Sequence, residues 1–199
     1  MNFFTEDLKL HIVLNNKDCH PSSIERLNFR YSHFIENISY KFKNASVLDI
    51  GCHNGEFCYA AKKLGASKVV GIDCEKEYID YAKKNVFGVD FICGDFFDFQ
   101  SEKFDIVLCL GVLYFYDPLK LLIFCKKMTK KIMILDTFVG KYLDQNNFIG
   151  TVESKKDLEK LLDIAGFYFK ELPVMENSIS IYKTKLKCSY WCFPKIPSC

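Results

Sequence analysis

The sequence lacks any apolar run of the length a membrane-spanning helix needs. Its first stretch, Met1 to Leu14, mixes Glu6, Asp7 and Lys9 into the apolar residues, without the charged, apolar and small-residue tiers of a secretory signal. Together these absences predict a cytosolic protein. A dominant charge of one sign is missing too: 27 Lys and Arg stand against 25 Asp and Glu, a net charge of +2. That balance argues against a dedicated nucleic-acid binder, and a local basic patch is all it leaves room for. There is no internal repeat and no low-complexity segment. None of the ten cysteines forms a Cys-x-x-Cys pair, which excludes a zinc ribbon and a thioredoxin-type site.

What is present fits a globular domain. The chain has 199 residues, 49% hydrophobic and 26% charged, and a chain of that size can bury enough surface to fold without a disulfide or a metal. Cys52, Cys58, Cys74, Cys93, Cys109 and Cys125 fall inside predicted strands and helices, where Cys behaves as a small hydrophobe. Cys188, Cys192 and Cys199 surround Trp191 near the end of the sequence. The spacing of Cys188 and Cys192 would suit a metal, but a fourth ligand is lacking, so the reading is reduced thiols and no metal.

Strand and helix patterns alternate along the chain. Ser22-x-x-Glu25 has capping-box spacing and precedes Ile24, Leu27, Tyr31, Phe34 or Ile35, and Ile38 at helical spacing. Strands are predicted at 47–50, 68–73, 89–93, 105–110 and 131–136. Phe57, Ala60, Ala61 and Leu64 stripe one intervening helix, which Gly65 ends; Tyr78 or Ile79, Ala82 and Val86 stripe the next. Asp117-Pro118 opens a helix to about Met128, and Ser154-x-x-Asp157 caps another that Gly166 ends. Residues 137–153 read as a loop or short insert. Phe167–Leu172 and Ser178–Tyr182 read as a closing antiparallel hairpin, and 184–199 as a tail. Near-continuous apolar strands separated by helices imply a parallel sheet covered on both faces, with ligands beyond the carboxyl ends of the strands.

The residues at those ends carry the chemistry. The first strand runs into Asp49-Ile50-Gly51-Cys52-His53-Asn54-Gly55, where glycines permit unusual dihedrals and close approach of a ligand to backbone amides. The second ends in Gly71-Ile72-Asp73, a carboxylate able to accept from both ribose hydroxyls of a nucleoside. The third ends in Cys93-Gly94-Asp95-Phe96, where Asp95 can accept from an adenine amine with Phe96 against the ring. Taken singly, Asp73 could equally cap the next helix, Asp95 serve a turn, and Gly51 and Gly55 be plain turn glycines.

This succession, over roughly residues 45–183, resembles the class I S-adenosylmethionine-dependent methyltransferases. The family's acid-x-Gly-x-Gly-x-Gly motif corresponds to Asp49 through Gly55, with His53 in place of the middle glycine. The resemblance implies a Rossmann-like α/β three-layer sandwich with a mostly parallel seven-stranded sheet and a C-terminal antiparallel hairpin. It implies a domain over 1–184, with 1–44 as a helical lid, then a tail over 185–199. The cofactor would be S-adenosylmethionine, held by Asp49, Gly51, Cys52, His53, Gly55, Asp73, Cys74, Asp95, Phe96 and Leu110. A dehydrogenase reading would require Gly-x-Gly-x-x-Gly and is disfavoured.

Methyl transfer from a sulfonium mainly needs proximity and alignment, and a hydroxyl acceptor also needs a base. Asp136, at the end of the fifth strand, and His53, in the first loop, are the candidates. Tyr114 and Tyr116 should line the acceptor cavity, with Tyr142 and Asp144 in an insert that could close over it; Asp117 reads as a helix cap. No bound metal is required, while Mg²⁺ held by carboxylates is the alternative way to lower a hydroxyl's pKa. Phe104-Asp105 through Asp117-Pro118 is similar to the wobble-uridine tRNA carboxymethyl-transfer family, with Phe115 in place of its His. The compact build is similar to sugar O-methyltransferase domains of glycan-synthesis proteins. The expectation is O-methylation of a small hydroxylated acceptor such as a sugar or glycan. RNA methylation and a non-catalytic cofactor-binding subunit are the alternatives. Lys183, Lys185, Lys187 and Lys195 offer RNA only a modest patch, and Tyr190, Trp191 and Phe193 read as an exposed aromatic tail able to make an oligomer contact.

Overall fold

The computed structural model describes residues 23–140, 152–172 and 186–196. Its strands are β1 (Ser46–Ile50), β2 (Lys68–Asp73), β3 (Asp90–Cys93), β4 (Phe104–Leu110), β5 (Thr129–Val139), β6 (Phe167–Glu171) and β7 (Leu186–Pro194). They form one seven-stranded sheet in the order β3-β2-β1-β4-β5-β7-β6. The sheet is mixed, with its antiparallel pairs at the β7 end, as the α/β expectation requires. By its internal contacts the chain divides into two compact units, Met1–Asp98 and Phe99–Cys199. No helix among the described residues is long and apolar enough to cross a membrane.

In the first unit, α1 (Ser23–Phe34) and a 3₁₀ turn (Glu36–Lys41) precede β1. Tyr31, Phe34, Ile35 and Ile38 are buried, the face that the helical spacing predicted. Ser22 lies outside the described residues. β1 runs parallel to β2 from Ser46↔Lys68 to Ile50↔Ile72, and β2 parallel to β3 from Val70↔Asp90 to Asp73↔Cys93. Between them, α2 (Glu56–Lys63) buries Phe57, Cys58, Ala60 and Ala61, and α3 (Lys76–Asn85) buries Ile79 and Ala82. Gly65, with φ of 85°, ends the α2 segment in the left-handed conformation its position predicted.

In the second unit, α4 (Pro118–Met128) starts as the Asp-Pro signal dictates: the Asp117 carboxylate accepts from the Lys120 N–H at 2.7 Å, and Pro118 takes the first turn. Ser154 caps α5 (Lys155–Ile164), its hydroxyl accepting from the Asp157 N–H at 3.2 Å. Two sequence expectations change here. β5 does not stop at Asp136 but runs on to Val139, so residues 137–139 are strand rather than insert. The strand paired with β6 is Leu186–Pro194, a stretch read as tail; Ser178–Tyr182 lies outside the described residues. β7 is wedged between β5 and β6, antiparallel to both, from Met133↔Cys192 to Val139↔Leu186 on one side. Cys188, Tyr190 and Cys192 are buried in it, alternating with half-buried Trp191 and the 37% exposed Phe193. Tyr190 therefore belongs to the core and not to an exposed aromatic tail.

Candidate functional site

The loop after β1 is shaped by positive φ at every second residue: 66° at Gly51, 51° at His53 and 82° at Gly55. The His in place of a glycine thus adopts the left-handed conformation, at a cost of about 1–3 kcal/mol that surrounding contacts must offset. Those contacts are visible. The His53 N–H donates to Asp73 Oδ2 at 2.8 Å, and Gly51 and Cys52 N–H groups donate to the Ile72 carbonyl at 2.8 and 3.0 Å. The loop is therefore tied to the end of β2, and Asp73 is the knot: its Oδ1 accepts from the Glu75 N–H at 3.0 Å. At Gly55 a Cβ would lie 2.7 Å from Phe91 Cζ, so only glycine lets α2 begin there. Gly71 in β2 is confined the same way, by the sulfurs of Cys58 and Cys52 at 2.8 and 2.9 Å from a Cβ built on it.

The side chains of the loop are engaged as well. His53 Nδ1 lies 3.6 Å from Glu56 Oε1, and its ring sits 3.9 Å from that of Tyr78. Burial opposes protonation of His53, but the hydrogen bond and charge of Glu56, with Asp73 adding, outweigh it and lift its pKa above the usual value. Asp49 is buried beneath the loop, and the Cys58 thiol donates to its Oδ2 at 3.4 Å. Burial pushes the Asp49 carboxyl up to about 7, with Glu56 and Asp73 raising it further and Cys58 and Arg30 opposing. Burial also raises Cys58 well above a normal thiol, which keeps it a neutral donor. Arg30 of α1 reaches over the Phe57 ring at 5.0 Å. The part that Glu56, Cys58, Tyr78 and Phe91 play at the site was not read from the sequence. Only Glu56 carried a signal, three residues beyond His53 at the opening of a helix.

After β3, Asp95 is exposed and its Oδ1 accepts from the Phe97 N–H at 2.8 Å, so it opens the 3₁₀ turn Phe96–Asp98. Phe96 is buried, its ring 4.6 Å from that of Phe97. Among the described residues, none beyond the two chain neighbours of Gly94 comes within 4 Å of where a Cβ on it would be, which leaves open space at this turn. Cys74 and Cys93 are both exposed, the Cys93 sulfur 3.7 Å from the Cys74 carbonyl. The first unit thus brings together Asp49, Gly51, Cys52, His53, Gly55, Asp73 and Cys74, with the Gly94–Asp95 turn anchored on Asp73 by the Gly94 N–H at 3.0 Å. Such a set can receive a ligand with vicinal hydroxyls, a ring amine and a positively charged end.

In the second unit, half-buried Leu110 ends β4 opposite Asp136, and the next N–H, of Gly111, donates to the Asp136 carbonyl at 2.8 Å. Asp136 is buried, and its Oδ1 accepts from Ser189 Oγ of β7 at 3.0 Å. This carboxylate therefore stands within a strand and is held by a residue the sequence reading placed in the tail. Tyr114, on the 3₁₀ turn Leu113–Phe115, packs 5.7 Å from the Phe138 ring. Tyr116 is half-buried just beyond that turn. Tyr142 and Asp144 lie outside the described residues. Among the described residues no group of three or more His, Cys, Asp or Glu could hold a metal ion.

Residues 41–179 match the model of a methyltransferase domain. The chain is 36% identical over 93 residues to the ribosomal protein L11 methyltransferase of Dictyoglomus turgidum, covering 45% of this chain and 29% of that protein. It is 30% identical over 131 residues to the tRNA U34 carboxymethyltransferase of Campylobacter jejuni, covering 61% of this chain and 43% of that one. The matches therefore span less than half of these relatives' length. Among solved structures, magnesium protoporphyrin IX methyltransferase from Synechocystis with bound S-adenosylhomocysteine superposes with a TM-score of 0.66. At 15% identity it covers 98% of this chain and 96% of its own. The [4+2]-cyclase SpnF reaches the same TM-score of 0.66 at 12% identity, covering 94% and 88%, so this fold alone does not fix a reaction.

Proposed function

Because the chain belongs to the class I S-adenosylmethionine-dependent methyltransferase domain family, we propose that it methylates a hydroxyl oxygen of a small hydroxylated acceptor, such as a sugar or glycan. The strained loop of Gly51, His53 and Gly55, the carboxylate of Asp73 and the open turn at Gly94–Asp95 fit the cofactor's methionine, ribose and adenine parts. When bound, S-adenosylmethionine supplies an already activated methyl group, so the chain's own residues have to bind, orient and take up a proton. Asp73 and Asp95 accept hydrogen bonds from ribose and adenine in this reading, and Asp49 lies beneath the loop that holds the methionine part.

The observation that carries the acceptor assignment is the buried carboxylate of Asp136, fixed by Ser189 and joined through Gly111 to the turn that bears Tyr114. Asp136 is assigned as the base that takes the acceptor's hydroxyl proton, with Tyr114 and Tyr116 offering aromatic surface to sugar C–H groups. His53 is assigned to shaping the loop, since its ring is committed to Glu56 and Tyr78. A second reading, methylation of RNA, draws on the match to the tRNA U34 carboxymethyltransferase.

Three measurements test the reading. S-adenosylmethionine at roughly 100 times its dissociation constant should stabilise the protein by about 2.7 kcal/mol, and NAD should give no shift. Methyl transfer to a panel of glycosides, small phenols and tRNA transcripts should favour the glycosides. Asp136→Asn should lower turnover about 10²-fold with cofactor affinity nearly unchanged. Methylation of tRNA alone, falling steeply with salt, would replace the small-acceptor reading with the RNA one.

A further inference from the structure

The end of the first unit opposite the cofactor loops is predominantly basic. Three segments meet there: 41–46 before β1, 62–68 between α2 and β2, and 83–90 between α3 and β3. They hold seven lysines, Lys41, Lys43, Lys62, Lys63, Lys68, Lys83 and Lys84, against a single acid, Asp90. All but the half-buried Lys62 are exposed. The segments form one surface. The Asn44 N–H donates to the Gly65 carbonyl at 2.8 Å, Ser67 Oγ donates to the Asn44 carbonyl at 3.1 Å, and Lys62 Cε lies 3.3 Å from where a Cβ on Gly88 would be. Lys62, Lys63, Lys83 and Lys84 stand in the last turns of α2 and α3, where they also complement the helix dipoles. Lys43 and Lys68 sit on no α-helix, and that explanation does not reach them.

Among these cations stand two large aromatic rings in water: Phe87 is 81% exposed and Tyr40 71%. Lys41 Nζ lies 5.0 Å from the Tyr40 ring centre. Phe87 and Tyr40 are the two most exposed aromatic rings among the described residues, and cations alone would suit any polyanion. Cations interleaved with exposed aromatic faces fit a chain that offers phosphates and unstacked bases together.

We propose that this face docks single-stranded nucleic acid, phosphates on the lysines and bases stacked on Phe87 and Tyr40. The docking site lies away from the cofactor loops and does not depend on which acceptor is methylated. The test is fluorescence anisotropy of the full chain with labelled 20-nucleotide oligo(U), a duplex of the same length and poly-glutamate, at two salt concentrations without cofactor. Oligo(U) should bind more tightly than the duplex or poly-glutamate, and its affinity should fall as salt rises. The triple charge reversal Lys43→Glu, Lys63→Glu, Lys84→Glu should abolish binding while leaving the S-adenosylmethionine-induced melting shift intact, which controls for folding. Phe87→Ala, a milder change, should weaken oligo(U) binding roughly tenfold with little effect on the salt dependence. Absence of oligo(U) binding at low salt, equal binding of poly-glutamate, or unchanged affinity in Phe87→Ala would each overturn the proposal. A failure of glycoside methylation would leave these binding results untouched, so the two readings fail separately.

Discussion

The two ends of the first unit are built on the same helices and strands and are chemical opposites. The loops at the carboxyl ends of β1, β2 and β3, residues 51–56, 73–77 and 94–98, hold six acids, Glu56, Asp73, Glu75, Glu77, Asp95 and Asp98. Their one lysine, Lys76, is paired with Asp80. The loops at the amino ends hold seven lysines and one acid. Helix dipoles favour this sorting, acids at helix starts and lysines at helix ends. Each end holds one non-glycine residue at positive φ, His53 at 51° and Asn44 at 60°. The acidic end secures His53 with a side chain, Asp73, whereas Asn44 is tied by its own N–H to the Gly65 carbonyl. Side-chain carboxylates that support backbone amides make an end sensitive to single substitutions and to pH. Loops closed by their own backbone tolerate both.

The largest expected difference is in pH response. Asp49 has a folded pKa of about 7, above its unfolded value near 4, so the folded state holds that proton more tightly. Its contribution is complete below the unfolded pKa and is lost as pH rises through about 7, with a ceiling of about 4 kcal/mol. Denaturant titrations of the cofactor-free protein at pH 5 and pH 8 should show wild type losing stability across that interval and Asp49→Asn losing much less. Equal slopes would place the proton elsewhere. Next, Asp73→Ala removes an acceptor from two backbone amides as well as the ribose site. Cofactor affinity should fall about 10²-fold, more than turnover at saturation; isothermal titration beside initial rates separates the two, and unaltered affinity would mean the ribose lies elsewhere. Gly55→Ala sets a Cβ against Phe91 at positive φ and should cost about 1–3 kcal/mol in a melt, with part regained in the Phe91→Leu background. The smallest effect belongs to the other end: Lys63→Gln should move stability by no more than about 0.5 kcal/mol. A larger loss there would mean that the basic loops are as tightly coupled as the acidic ones.

Much of the acidic end was legible because its signals are local. Gly51, Gly55, Asp73 and Asp95 follow apolar strands at fixed places, and Asp117-Pro118 and Ser154-x-x-Asp157 mark helix starts that the structure reproduces. What depended on distant partners was not legible. That Asp49 would meet Cys58, or that His53 would lie against Tyr78, follows from packing that no spacing announces. β7 was missed although Cys188, Tyr190 and Cys192 alternate as a buried face should, because the hairpin was already closed at Ser178–Tyr182 and the residues around Trp191 read as an exposed aromatic tail. Missing β7 also concealed Ser189, and with it the partner that holds Asp136 inside β5. The basic end went unnoticed because its lysines are dispersed along the sequence and gather only when the three loops fold together.

The position of β7 has a consequence for synthesis. A ribosome releases the chain from its amino end, yet among the described residues β6 pairs in the sheet with β7 alone, and β5 meets β7 across pairs such as Asp136↔Ser189. Until Leu186–Pro194 leaves the exit tunnel, the nascent protein lacks the strand with which β5 and β6 both pair. The sheet is thus completed from its middle by a late-arriving strand, and the interval before that arrival is when the newborn chain is most exposed to chaperones, proteases and its own copies.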